Sequence, residues 1–161
     1  MKQILVGLLF ATFASWSIQA ENYEKSSVAK VLSSFHEAAS KADWSTYFGL
    51  MSDDGIFLGT DVSERWGKPV FQDYASKTNG WTYKLRERHI NLTPDGNSAW
   101  FDEVLDNEKY GTSRGTGILI RTDNGWKISQ YHLTFPIPND LADGFTQQIQ
   151  VFEARQKMGQ K

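Results

Sequence analysis

The sequence predicts an α+β fold in which helices come first and an antiparallel sheet follows. Three observations predict it. Apolar residues recur at helical spacing through the first half of the chain, and the period changes to two at Trp81. Asn124-Gly125 then separates two alternating runs, which is a two-residue hairpin signal.

Val28, Val31, Leu32, Phe35, Ala39 and Ala42 fall on one helical face with Lys30, Ser34, Glu37 and Lys41 between them, so an amphipathic helix spans about residues 22–42. Asp43 can cap a second, short helix carrying Trp44, Tyr47 and Phe48. Asp53-Asp54-Gly55 reads as a turn into the apolar piece Ile56-Phe57-Leu58. Pro69 suits the first turn of a third helix, with Val70, Phe71 and Tyr74 on its apolar side and Gly80 past its end. From Trp81, Tyr83 and Leu85 a strand begins, and residues 98–105, 112–122 and 126–134 supply three more. Pro136 and Pro138 end the sheet, and Leu141, Phe145, Ile149 and Phe152 then share one face of a C-terminal helix.

Ahead of these elements, Lys2, the apolar run from Ile4 to Ala14 and the ending Ile18-Gln19-Ala20 read as a secretory leader over residues 1–20. The run is shorter than the roughly 20 residues that span a bilayer, so no stable membrane anchor is expected and the chain is expected in the periplasm or outside the cell. The absence of cysteine excludes disulfides and thiolate metal sites. A net charge of −2 without a basic run argues against nucleic acid as a partner. His36, His89 and His132 lack metal-ligand spacing, and no cofactor or metal is expected. Aromatic content of 14 % leaves two uses open, a packed core or the walls of a pocket.

A turn at Asn124-Gly125 sets Gly117 opposite His132 and Ile118 opposite Tyr131, and a symmetric turn at residues 106–111 sets Glu103 opposite Arg114 and Asp102 opposite Gly115. One face then carries Trp100, Asp102, Val104, Leu119, Trp126, Ile128, Gln130 and His132. The other carries Phe101, Glu103, Arg114, Thr116, Ile118, Tyr131 and Leu133, and the pattern does not say which looks inward. Asp102 with His132 reads either as an acid/base pair or as a polar pair that fixes the sheet. Glu103 with Arg114 reads either as a structural ion pair or as a charged anchor for a ligand. Gly115 and Gly117, inside a strand, mark close approach or open space.

The segments Gly59-Thr60-Asp61, Glu64-Arg65-Trp66, Gly80-Trp81-Thr82-Tyr83, Ala99-Trp100-Phe101-Asp102-Glu103, Arg114-Gly115-Thr116-Gly117 and Gly125-Trp126-Lys127-Ile128 resemble, in this order, a SnoaL-like domain of the nuclear transport factor two-like superfamily. The resemblance covers residues from about 28 to 140. It implies a cystatin-like cone, a curved antiparallel sheet packed against N-terminal helices, often paired as a homodimer through the sheet. It also implies that an aspartate, histidine or tyrosine projecting into the cone does the chemistry in catalytic members, with Asp61, Asp102, Tyr131 and His132 as the positions to consider.

The expected organisation is a leader at 1–20, a domain at 21–140 and a helical tail at 141–161. The leading functional expectation is a pocket for a small, partly apolar molecule, with Trp66, Trp100 and Tyr131 as walls and Asp61 and Arg114 as polar anchors. Two alternatives stand beside it. One is an isomerase, cyclase or dehydratase using Asp102 or His132 as general base; the other is a dimerisation module whose pocket is filled by its own side chains.

Overall fold

Helix α1 (Ile4–Ser40) buries Val28, Leu32, Phe35 and Ala39, the stripe its spacing predicts. The computed structural model describes residues 4–159, with side chains from Gln19 onward. Most of the expected leader therefore lies outside the described side chains, and Met1–Gln3 lie outside the described residues altogether. Among the described residues no helix is long and apolar enough to cross a membrane.

Helix α1 ends where Ala42 turns left-handed, at φ 52°, while the Asp43 amide bonds back to the Ala38 carbonyl at 2.9 Å. The Asp43 carboxylate then accepts from the Thr46 amide at 3.1 Å and caps α2 (Trp44–Gly49), which buries Tyr47 and Phe48. Strand β1 (Met51–Leu58) absorbs Asp53-Asp54-Gly55 as an irregularity within the strand, where the sequence predicts a turn. The short strand β2 (Arg65–Gly67), which the sequence reading passes over, pairs with β1 and leads into α3 (Lys68–Ala75) with Pro69 in its first turn.

Strand β3 (Lys84–Leu92) starts three residues later than the alternation at Trp81 suggests. The backbone of Gly80, at φ 88°, lies against the end of α1, and the Trp81 amide donates to the Ala39 carbonyl at 3.1 Å. Those two residues belong to the helix-closing loop, so the sheet begins only after it. Strands β4 (Ser98–Asn107), β5 (Gly111–Thr122) and β6 (Gly125–Thr134) complete a curved six-stranded sheet in the order β2-β1-β6-β5-β4-β3. All neighbours are antiparallel except β1 and β6, which run parallel. Helix α4 (Asn139–Gly159) has no buried residue.

Both hairpin registers differ from the expected ones. Thr122 pairs with Gly125, so Asp123-Asn124 is the loop and Gly125, at φ 94°, opens the returning strand. The β4–β5 connection pairs Asn107 with Gly111, an odd three-residue loop held by the Asn107 carboxamide oxygen, which accepts from the Lys109 and Tyr110 amides at 3.0 and 2.9 Å. That moves the register by one residue, so Glu103 faces Gly115 and Asp102 faces Thr116. A second shift, between Ile118 and Leu119, steps over Ser129 on β6. Trp126 and Ile128 precede this bulge and Tyr131 follows it, yet all three point to the core.

The inner face is therefore Ala99, Phe101, Glu103 and Leu105 on β4, Ser113 and Leu119 on β5, and Trp126, Ile128 and Tyr131 on β6. Helices α1, α2 and α3 cover it, with Phe35 stacked on Tyr47 at 3.9 Å and Phe57 on Phe71 at 4.0 Å. The outer face carries Trp100, Asp102, Val104, Arg114, Thr116, Ile118, Gln130 and His132, none of them buried.

Candidate functional site

Between the helices and the inner sheet face lies a cavity of about 390 Å³. Its buried walls are Phe35, Tyr47, Phe57, Phe71 and Tyr131, and its exposed rim includes Thr60, Thr82, Lys109, Tyr110 and Phe135. Tyr110 and Phe135 stack at the rim with ring centres 4.8 Å apart. A volume of this size, apolar with a few convergent polar groups, is typical of a small-molecule site.

The polar groups converge on Glu103, which has no exposed surface. Its Oε1 lies 2.6 Å from His36 Nε2 and accepts from the Tyr131 hydroxyl at 2.8 Å, while its Oε2 accepts from Arg88 Nε at 2.6 Å. Arg88 Nη1 in turn donates to the Ala29 carbonyl and to Ser33 Oγ on α1. Burial pushes the Glu103 carboxyl up, but hydrogen bonds and charge from His36, Arg88 and Tyr131 outweigh it and hold the group below the ordinary carboxylate range. The Tyr131 phenol goes the other way: burial, then the Glu103 charge, raise it well above its ordinary value, so it stays protonated.

An ionised Glu103 fixes the histidine tautomer. A carboxylate only accepts, so the His36 nitrogen beside it carries the proton, and Nδ1 is the basic nitrogen of a neutral ring. Nδ1 has no hydrogen-bond partner among the described residues, and the His36 side chain, 12 % exposed, lines the cavity. Among the described residues no cluster of three or more histidine, aspartate or glutamate side chains could hold a metal ion.

Of the residues singled out from the sequence, Trp66 and Tyr131 line this cavity, with Trp66 4.8 Å from Tyr74 between ring centres. Asp61 sits in the loop before β2, where its carboxylate accepts from the Ser63 amide and hydroxyl at 2.8 and 2.6 Å. Those bonds lower its pKa and spend it on the turn. Trp100, Asp102, Arg114 and His132 are on the outer face, away from the cavity: the β4–β5 shift carries Arg114 there, and Trp100, Asp102 and His132 alternate with the inward Phe101, Glu103 and Tyr131. Asp102 and His132 each face Thr116 across the ladder, so a strand separates them and they form no pair. Glu103 does not meet Arg114, whose place opposite is taken by Gly115; its partners are His36 and Arg88.

His36 escapes the sequence reading, which weighs it only as a metal ligand. The signal was present: it lies four residues after Leu32, on the inward stripe of the first helix. Gly115 is a case of close approach, since an added Cβ there would overlap the Tyr131 hydroxyl and come within 2.9 Å of Glu103 Oε1.

Known structures of similar shape are remote in sequence. A candidate aromatic ring hydroxylase from Novosphingobium aromaticivorans matches with a TM-score of 0.61 at 14 % identity, covering 72 % of this chain and 91 % of its own. An NTF2-like protein of unknown function from Pseudomonas putida matches at 0.60 and 16 %, covering 76 % and 90 %. A candidate dehydratase of the NTF2-like family from Streptomyces avermitilis matches at 0.59 and 16 %, covering 73 % and 99 %. At such identities the likeness speaks for the fold alone. No curated protein is similar enough in sequence to count as a match. The sequence model of the SnoaL-like domain matches residues 28–138, the stretch that builds the cone and its cavity, and on that ground the chain belongs to the SnoaL-like domain family.

Proposed function

We propose that the cavity binds a small, partly apolar molecule and that His36 exchanges a proton with it. The observation that carries this reading is the His36–Glu103 contact of 2.6 Å, in which a residue lining the cavity is held by a buried carboxylate and keeps its second ring nitrogen without a protein partner among the described residues. Elimination of water, isomerisation and ring closure each begin with removal of an activated proton, and an imidazole with one nitrogen free to accept it suits that step. In this reading Glu103 orients His36 and stabilises its protonated form, Tyr131 and Arg88 keep Glu103 charged, and the aromatic walls exclude water. One fold neighbour is described as a candidate dehydratase, and this chemistry is compatible with that class. The protein is proposed to work after export, once the apolar N-terminal run is removed.

The test is native mass spectrometry of the protein purified from its own host, followed by denaturation to release and identify whatever is held. A stoichiometric small molecule is expected, retained less well by Trp66→Ala. With that compound or its precursor, His36→Gln should lower turnover at least 100-fold while binding changes little. Equal turnover by His36→Gln and the unaltered protein would remove the catalytic half of the proposal and leave a binding protein. The reading as a purely structural module fits less well, since the cavity is open rather than filled.

A further inference from the structure

Lys109 stands at the mouth of the cavity without a carboxylate partner among the described residues, whereas Lys25, Lys41, Lys68 and Lys77 each lie within 3.2 Å of one. It belongs to the three-residue loop between β4 and β5, and the Asn107 carboxamide pins that loop twice. The Asn107 oxygen accepts from the Lys109 and Tyr110 amides, and its nitrogen donates to the Thr82 carbonyl on the adjoining rim at 2.9 Å. The Lys109 Nζ lies 4.7 Å from the centre of the Tyr110 ring, which itself stacks on Phe135. A ring face satisfies one side of an ammonium and leaves its other N–H donors to whatever enters the mouth.

The other acidic and basic side chains on the lining are His36 and Glu64, and both are engaged elsewhere. His36 is held by Glu103. The Glu64 carboxylate folds back on its own loop, where Oε2 accepts from the Asp61 amide at 3.2 Å and packs so closely on Gly59 that an added Cβ there would overlap it. Burial, with Tyr110 nearby, pushes the Tyr83 phenol up to about 12, so it brings no negative charge to the mouth. Resting on the reading of the cavity as a small-molecule site, we propose that its ligand is an apolar acid whose ionised group stays at the mouth on Lys109 while its body lies among Phe57, Trp66 and Phe71. Deeper in, an anion would give up its water for no cation, since the buried Arg88 is already paired with Glu103 at 2.6 Å. Lys109 thereby sets which end of the molecule enters first, and so which part of it meets His36.

Cinnamate and cinnamyl alcohol share one flat apolar skeleton and differ in charge, so the pair separates the two parts of the proposal. Titrated into the protein in a calorimeter, cinnamate should bind about tenfold more tightly than the alcohol, the scale of a charge-assisted hydrogen bond at a partly exposed site. Salt at about 0.5 M should weaken cinnamate and leave the alcohol unchanged. Lys109→Gln should abolish the preference by weakening cinnamate alone, Lys109→Arg should keep it, and Lys109→Glu should reverse it. Lys30→Gln removes the same charge from an exposed position on α1 and should leave the preference intact. Trp66→Ala should weaken both probes. Equal affinity of the unaltered protein for the two probes, a preference that survives Lys109→Gln, or one lost equally in Lys30→Gln would overturn the proposal and leave the cavity as a small-molecule site. Binding of neither probe would remove the reading of the cavity itself, and this inference with it.

Discussion

Glu103 carries a full charge with no exposed surface, and its three donors come from α1, β3 and β6. Removing that charge leaves Arg88, 6 % exposed at its side chain, without a counterion. Breaking a buried pair from one side costs about 3–5 kcal/mol. Glu103→Gln should therefore lower stability by that order in urea unfolding, with Arg88→Met in the same chain restoring part of it. Gly115→Ala tests the same cluster from the backbone. The new methyl group overlaps the Tyr131 hydroxyl, so a loss of about 1–3 kcal/mol is expected. That loss should shrink in a Tyr131→Phe background, where the hydroxyl is gone; an equal loss in both would place the strain elsewhere. Glu103 is legible only as sharing a face with Phe101, because both faces are half apolar and the pattern does not say which looks inward. Its partner is not legible, because His36 is 67 positions away and is brought to it only by the packing of α1 on the sheet.

At the scale of elements, the periodicity of the chain locates nearly every helix and strand but does not place the two hairpin registers, and the site residues went astray there. An odd loop at Asn107–Gly111 and a bulge at Ser129 each shift the pairing by one residue. With a side-chain period of two, one step carries a residue to the other face. Glu103 is read as the partner of Arg114 for that reason, whereas Asp102 and His132 do share a face and fail to pair only because β5 lies between them. The carboxamide of Asn107, bonding two amides of its own loop, was the available signal for the odd loop. The helix ends were more legible: Asp43 caps α2 as its position suggests. The residue before it carries strain that spacing does not announce, since Ala42 adopts φ 52°, a conformation that costs a residue with Cβ about 1 kcal/mol. Ala42→Gly should raise stability by roughly 0.5–1 kcal/mol, read as a higher urea midpoint with unchanged slope.

For the whole molecule, the Glu103 cluster joins the first helix to three strands of the sheet, so the cone's closure and the proposed chemistry rest on one carboxylate. Its charge makes that closure depend on pH. The native carboxyl titrates below the ordinary value of 4.5, so the unfolded chain binds this proton more readily than the folded one. The stabilisation is then complete above about pH 4.5 and fades as pH falls through the lowered native value. Exposed carboxylates such as Asp43, Asp61 and Asp95 are also lowered, by hydrogen bonds from Thr46, Ser63 and Thr93 respectively, so acid sensitivity of the protein alone does not isolate the cluster. The difference between the unaltered chain and Glu103→Gln does, because the exposed groups are common to both. Thermal midpoints measured from pH 7 to pH 3 should show a wide gap down to about pH 4.5 that narrows below it. A gap that stays constant to pH 3 would mean that Glu103 is held by shape rather than charge, and that His36 lacks the anionic partner its proposed role requires.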